Sequence, residues 1–258
     1  MRLVRFLLRL PLVLLLLIGG LLILGTFYRL LPAQGRAWLN RNWSRCLLAV
    51  CGVRTLVRGA PAMQGPMLWV ANHVSWIDIF ALCAVRSVCF VAKAEIRRWP
   101  LAGWLAVGAG TVFIERRRRH AVHEAATAMQ ARFDRGEVVG LFPEGTTSEG
   151  FDVQPFHASL FEPARGLGVA VQPVALRFLH RGRRSGYAAF VGEETLVANM
   201  WRVLGTTGVA VEVIFLPPLP TTAPDGQPCS RTALAQAARE AIRAELLDTA
   251  PQVQAQAA

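Results

Sequence analysis

His73 and Asp78 offer the most direct chemistry in this sequence, and they lie five residues apart. Within one α-helix a five-residue step turns the direction by about 140°, so the two side chains cannot face each other there. They meet if His73 stands in the loop leaving a strand and Asp78 in the first turn of the next helix. The carboxylate then fixes the imidazole tautomer from one ring nitrogen, and the other nitrogen can take a proton from a hydroxyl. Ser75 and Asp78 also have the spacing of a capping box ahead of an apolar run, and the residues alone leave both uses open. No strong nucleophile accompanies the pair. G-x-S-x-G is absent, and Cys83 and Cys89 sit in apolar surroundings that disfavour a thiolate. A His–Asp pair without a nucleophile implies direct attack by an activated hydroxyl, with no covalent intermediate.

Two further clusters could bind rather than react. Arg116–Arg119 could hold an anionic headgroup through bidentate guanidinium contacts, although Arg117–Arg119 also read as a solvated run opening a helix. In Phe142-Pro-Glu-Gly-Thr-Thr-Ser148, Gly145 lets the backbone approach a ligand, and Thr146, Thr147 and Ser148 supply hydroxyls and N–H groups. An ordinary Pro/Gly turn has the same composition. His120 and His123 share a helical face, but no nearby ligand completes a metal set, so no metal and no cofactor is expected.

The elements that must position these residues are short apolar runs alternating with amphipathic segments. The runs predict strands at Met67–Ala71, Val88–Ala92, Thr111–Ile114, Val138–Phe142, Val169–Leu176, Ala188–Val191 and Val209–Phe215. Helices are predicted at Trp76–Val85, Leu101–Val107, His120–Arg135, Ser159–Leu167 and Ser230–Leu247, with a Pro-rich loop over Leu216–Pro228 and a tail over Thr249–Ala258. Strands separated by helices make the class α/β with a largely parallel sheet. The carboxyl ends of parallel strands lie on one edge, where ligands bind. His73 and Asp78, Lys93 and Glu95, Glu115 and Arg116, and Glu144–Ser148 each follow a predicted strand, so four clusters would converge on one site.

Composition sets this domain beside a membrane. Apolar residues make up 53% of the 258 and charged residues only 17%, which excludes a disordered chain. The net charge of +11 is uneven: residues 1–77 carry nine arginines and no acid, and Asp78 is the first carboxylate. Leu10–Tyr28 is uncharged and leucine-rich, about 28 Å long as a helix and barely the depth of a bilayer core. Arg36–Val53 is amphipathic, with Trp38, Leu39, Trp43, Leu47 and Leu48 at helical spacing among Asn40, Arg41 and Arg45, a pattern suited to the headgroup layer. Gly19, Gly20, Gly25 and Pro32 could bend the chain between the two, so a span and a hairpin in one leaflet both remain open. The run lacks a good A-x-A site for signal-peptide cleavage. Five cysteines without C-x-x-C spacing indicate neither a disulfide framework nor a zinc site.

Taken together, these residues resemble the glycerolipid acyltransferase family, of the bacterial 1-acylglycerol-3-phosphate acyltransferase type. Asn72-His73-x4-Asp78 matches its H-x4-D block, Phe113-Ile-Glu-Arg116 its second, Phe142-Pro-Glu-Gly-Thr146 its third, and Val171-Gln-Pro-Val174 looks like its fourth. The resemblance implies a mixed, largely parallel sheet flanked by helices, preceded by a helical membrane element. It implies His73 as general base oriented by Asp78, with Arg116 and the Glu144, Gly145 and Thr146 turn engaging the acceptor; Thr147, next in that turn, is a further candidate for the acceptor site. Thr147 departs from the pattern, standing where enzymes with phosphate-bearing acceptors often have arginine.

The expectation is therefore a membrane-bound lysolipid O-acyltransferase, with residues 1–53 as anchor and 54–248 as catalytic domain. The donor is acyl-CoA or an acyl carrier protein, and the acceptor is 1-acylglycerol 3-phosphate, with lyso-ornithine lipid or another lysolipid as the alternative. The implied location is the bacterial inner membrane, with the catalytic domain on the cytoplasmic face. A membrane-anchored lipid hydrolase could use the same pair on water. Nucleic acid is not an expected partner, because the basic charge surrounds an apolar segment and suits an anionic membrane surface.

Overall fold

The computed structural model describes residues 1–114, 121–223 and 226–248. Its strands are β1 (Val53–Gly59), β2 (Met67–Ala71), β3 (Val88–Lys93), β4 (Val112–Ile114), β5 (Val138–Leu141), β6 (Val171–His180), β7 (Arg183–Arg184) and β8 (Val209–Phe215). Its helices are α1 (Arg2–Gly25), α2 (Ala33–Cys51), α3 (Ile77–Cys83), α4 (Ala102–Gly108), α5 (Ala121–Phe133), α6 (Glu162–Gly166), α7 (Leu196–Leu204) and α8 (Arg231–Leu247).

The strands form one sheet in the order β1-β8-β6-β2-β5-β3-β4, with β7 paired to β6. From β6 to β4 every neighbour is parallel, with Val70 opposite Leu141 and Ala71 opposite Val174. β8 runs antiparallel to β6 and carries β1 parallel to itself at the edge, which makes the sheet mixed. Central strands are apolar on both faces because both are covered. Along β2, Trp69 and Ala71 join α2 and α3 residues such as Leu47, Leu48 and Ile77 on one side. Leu68 and Val70 join Met129, Phe133, Phe161 and Ala238 from α5, the turn before α6, and α8 on the other.

The N-terminal helices are built into this core. Val13, Leu47, Leu48 and Cys51 are buried in the same cluster as Trp69, Ile77 and Phe215. α1 lies along the domain, packing against α2, α4 and α7. Its outer face exposes Leu8, Leu12, Leu15 and Leu22.

Several boundaries differ from the sequence-based expectation. Ala188–Val191 is not a strand: the Ala189 N–H donates to Gly186 and the Phe190 N–H to Val74, so its amides are taken by loops rather than by a ladder. β6 runs on past Leu176 to His180 because β8 pairs with it along its whole second half. The predicted Ser159–Leu167 helix opens as a 3-10 turn over Ala158–Phe161. β1 and α7 were not expected. Glu115, Arg116–Arg119, His120 and the Thr249–Ala258 tail lie outside the described residues.

Candidate active site

β2 and β5 are neighbours, and their carboxyl ends deliver the two central clusters to one place. Asn72 ends the β2 run fully buried; its amide donates to the Leu176 carbonyl at 3.0 Å and its carbonyl accepts the Leu176 N–H at 2.7 Å. It mimics a peptide unit and pins the chain to β6 just before the loop. His73 follows in that loop, and Asp78 lies in the first turn of α3.

A single oxygen of Asp78 organises the turn. Its Oδ2 accepts from His73 Nδ1 at 2.7 Å, from the Val74 N–H at 2.7 Å and from the Ser75 N–H at 2.9 Å. The Ser75 N–H bond is one half of a capping box; the Ser75 hydroxyl makes no reciprocal bond among the described residues. The capping and histidine-orienting uses of Asp78 are thus both present, on the same atom. Because a carboxylate oxygen only accepts, Nδ1 carries a proton, and in the neutral ring the lone pair is on Nε2. The imidazole is about a fifth exposed while Asp78 is fully buried.

The rest of the loop is held from all sides. The His73 N–H donates to Glu144 Oε1 at 2.8 Å, the Ser148 N–H donates to the His73 carbonyl at 2.8 Å, and the Phe190 N–H donates to the Val74 carbonyl at 2.9 Å. The imidazole stacks on Phe142, with centroids 4.1 Å apart, and Phe142 stacks on Phe90 at 5.4 Å. Gly140 makes room for this stack, since a Cβ there would lie 2.6 Å from the Phe90 ring.

Glu144 does not face outward. Its second oxygen accepts the Gln154 N–H at 3.0 Å, so both oxygens bind backbone amides. Burial pushes its carboxyl up to about 7, against the pull of those two donors. Thr147 is likewise engaged, its hydroxyl donating to the Phe190 carbonyl. Gly145 adopts φ 73° and donates its N–H to the Phe142 carbonyl at 3.1 Å, closing the turn, and Thr146 is exposed. Arg116 follows β4, which reaches the same sheet edge, and lies outside the described residues. Among the described residues no group of histidines, cysteines and carboxylates is arranged to hold a metal.

Sequence reasoning found His73, Asp78 and the turn after β5, but it missed Phe142 as the floor under the imidazole, and Phe190. The Phe142 signal was present, since an aromatic stands at the end of a strand adjacent to β2. Phe190 carried none, because its partners lie far away in sequence.

The profile of the Acyltransferase family matches residues 52–177, a span that contains β2, the His73–Asp78 turn and β5. A lyso-ornithine lipid O-acyltransferase of Pseudomonas aeruginosa is 40% identical over 219 residues, covering 85% of this chain and 82% of the relative. The chain belongs to the acyltransferase family. A 1-acyl-sn-glycerol-3-phosphate acyltransferase of Neisseria gonorrhoeae is 37% identical over 195 residues, 74% of each chain. The fold of this acyltransferase is that of the 1-acyl-sn-glycerophosphate acyltransferase PlsC from Thermotoga maritima, with a TM-score of 0.60 at 20% identity, covering 92% of this chain and 96% of that one. The acyltransferase therefore combines a mixed sheet with an apolar first helix whose length and composition suit membrane association.

Proposed function

We propose that this acyltransferase moves a fatty acyl group from a thioester donor, acyl-CoA or an acylated carrier protein, to the hydroxyl of 1-acylglycerol 3-phosphate, giving phosphatidate. The observation that carries the reading is the 2.7 Å contact of His73 Nδ1 with Asp78, which leaves Nε2 as an open base at the sheet edge. Nε2 takes the proton of the acceptor hydroxyl as its oxygen attacks the thioester carbonyl. The buried carboxylate of Asp78 stabilises the imidazolium. That attack forms the C–O bond and a tetrahedral intermediate; its collapse restores the carbonyl and breaks the C–S bond, and the proton passes from Nε2 to the departing thiolate. Arg116 is the proposed ligand of the acceptor phosphate, and Gly145 and Thr146 border the acceptor. Glu144 and Thr147 serve by holding the His73 loop.

Residues 1–53 form the membrane element, with the catalytic domain over 54–248, and the enzyme works on the cytoplasmic face of the bacterial inner membrane. α1 packs on the domain through Phe6, Leu16 and Gly20, so it lies in one leaflet rather than crossing the bilayer alone. An anionic surface suits its arginines.

A second reading, lyso-ornithine lipid as acceptor, is favoured by Thr147, whose side chain is neutral and already bonded to Phe190. Purified enzyme given labelled acyl-CoA or acyl carrier protein and each lysolipid in turn should yield labelled phosphatidate from 1-acylglycerol 3-phosphate. Labelled product from lyso-ornithine lipid only would replace the acceptor, and release of free fatty acid without acylated lipid would replace transfer by hydrolysis.

A further inference from the structure

α7 stands beside the catalytic loop, yet the chemistry makes no use of its outer face. Thr195 caps the helix, accepting the Ala198 N–H at 3.2 Å. Its inner side is fixed by Asn199, which is fully buried: Oδ1 accepts from Trp76 Nε1 at 3.0 Å and Nδ2 donates to the Ala189 carbonyl at 2.9 Å. Trp76 precedes α3, and Ala189 precedes Phe190, whose N–H and carbonyl hold Val74 and Thr147. One side of α7 is therefore tied to the turn that carries His73.

The other side is apolar and open. Val197 is 73% exposed and Trp201 36%, four residues apart on one helical face. The first turns of α1 run alongside. The Phe6 ring meets Trp201 edge-on at 4.5 Å, the Arg2 guanidinium lies 6.0 Å over the same indole, and Arg9 donates to the Leu204 carbonyl at 3.0 Å at the end of α7. Leu3 and Leu7, flanking Phe6, are more than half exposed. The exposed Leu3 and Leu7 of α1 and the exposed Val197 of α7 thus flank the Phe6–Trp201 contact by which the two helices pack. An isolated exposed valine would mean nothing, but a patch beside a 24-residue apolar helix has the make-up of a lipid-contacting surface. Tryptophan beside arginine suits its headgroup level.

We propose that α7 is a lipid-contacting helix of the catalytic domain, seated in the same leaflet as α1, and that the lipid acceptor reaches His73 from the bilayer past this helix. The proposal rests on the membrane-bound acyltransferase reading and extends it from the N-terminal element to the body of the enzyme.

The test uses the full chain on vesicles of phosphatidylethanolamine and phosphatidylglycerol. A spin label is placed by Val197→Cys, or by Leu15→Cys on α1, in a Cys46→Ser, Cys83→Ala, Cys229→Ser background. Both labels should collide with oxygen in preference to a water-soluble nickel chelate. A Leu15 label in lipid with a Val197 label in water overturns the proposal and leaves the membrane reading standing, whereas both labels in water overturn both. A Val197 label shielded from both agents points to a protein partner or a second copy and also overturns it. In parallel, Val197→Asp should lower acylation of a vesicle-borne lysolipid about tenfold. A short-chain, monomeric lysolipid in free solution should be acylated at the wild-type rate. An unchanged rate on vesicles, or an equal loss on both acceptors, counts against lipid contact at α7.

Discussion

The turn after β2 and the turn after β5 bring polar side chains to the same edge of the sheet, but they use them in opposite ways. After β2, Asp78 is buried and His73 presents one nitrogen outward, so the turn holds a reactive group. After β5, Glu144 and Thr147 point their polar atoms inward to the backbone of residues 73, 154 and 190. In the proposed mechanism the first turn carries the chemistry and the second braces it. A polar motif at a strand end is thus no proof of contact with substrate, because a loop that must hold an imidazole still has its own amides and carbonyls to satisfy.

The largest effect that would break this contrast belongs to His73. His73→Ala should cut turnover by about 10²-fold or more while the protein stays folded, since the ring is partly exposed and its loop is held by backbone bonds. Activity close to wild type in that variant would end the general-base mechanism. Asp78→Ala should lower turnover and stability together. It strands the buried Val74 and Ser75 amides, at about 1–3 kcal/mol each, and releases the ring. Chemical denaturation of the detergent-solubilised protein, run beside the activity assay, separates the two losses. Lost stability with turnover per folded molecule intact would reduce Asp78 to a cap.

Glu144 sharpens the comparison through pH. Its carboxyl is raised to about 7 from the ordinary 4.5 by burial. In the folded chain it therefore stays protonated where the unfolded chain has already ionised. Stability from this group falls as pH rises from about 4.5 to about 7, by about 3 kcal/mol in all, and the penalty is constant above that. Glu144→Gln has no such titration, so wild type should lose stability relative to the variant across that window. Parallel unfolding curves at pH 5, 6, 7 and 8 read the difference; a flat difference means the carboxyl is not held as described. The smallest effect is expected at Thr147. Thr147→Val removes one bond to Phe190, worth about 1 kcal/mol, and should leave the ratio of activities on 1-acylglycerol 3-phosphate and lyso-ornithine lipid unchanged. A shifted ratio would make Thr147 an acceptor contact after all.

Much of this was legible in the residues themselves. The limits of β2 and β8 follow from apolar runs bounded by turn residues, because central strands are buried on both faces. The His73–Asp78 geometry follows from helical pitch, which forces the two residues onto opposite sides of a loop-to-helix boundary. The apolar length of α1 is a matter of composition. Other elements carried no local signal. β1 interleaves Arg54 and Arg58 with apolar residues, as an edge strand can, and reads as a continuation of the amphipathic segment before it. Ala188–Val191 is as apolar as a short strand, yet its amides meet Gly186 and Val74 instead of a neighbouring strand.

Periodicity records which face of an element is buried, and spacing records which residues an element can bring together. On those grounds the sequence alone determined the class of fold, the His–Asp pair and the apolar N-terminal helix. Which partner a buried polar atom meets is decided by chain far away: Thr147 by Phe190, Glu144 by His73 and Gln154, Asn199 by Trp76, at separations from 10 to 123 residues. Only the tertiary structure could therefore turn Glu144 and Thr147 inward and lay α1 and α7 side by side. A buried hydrogen bond must be satisfied wherever the packed chain happens to supply a partner, and that place is written in no local pattern.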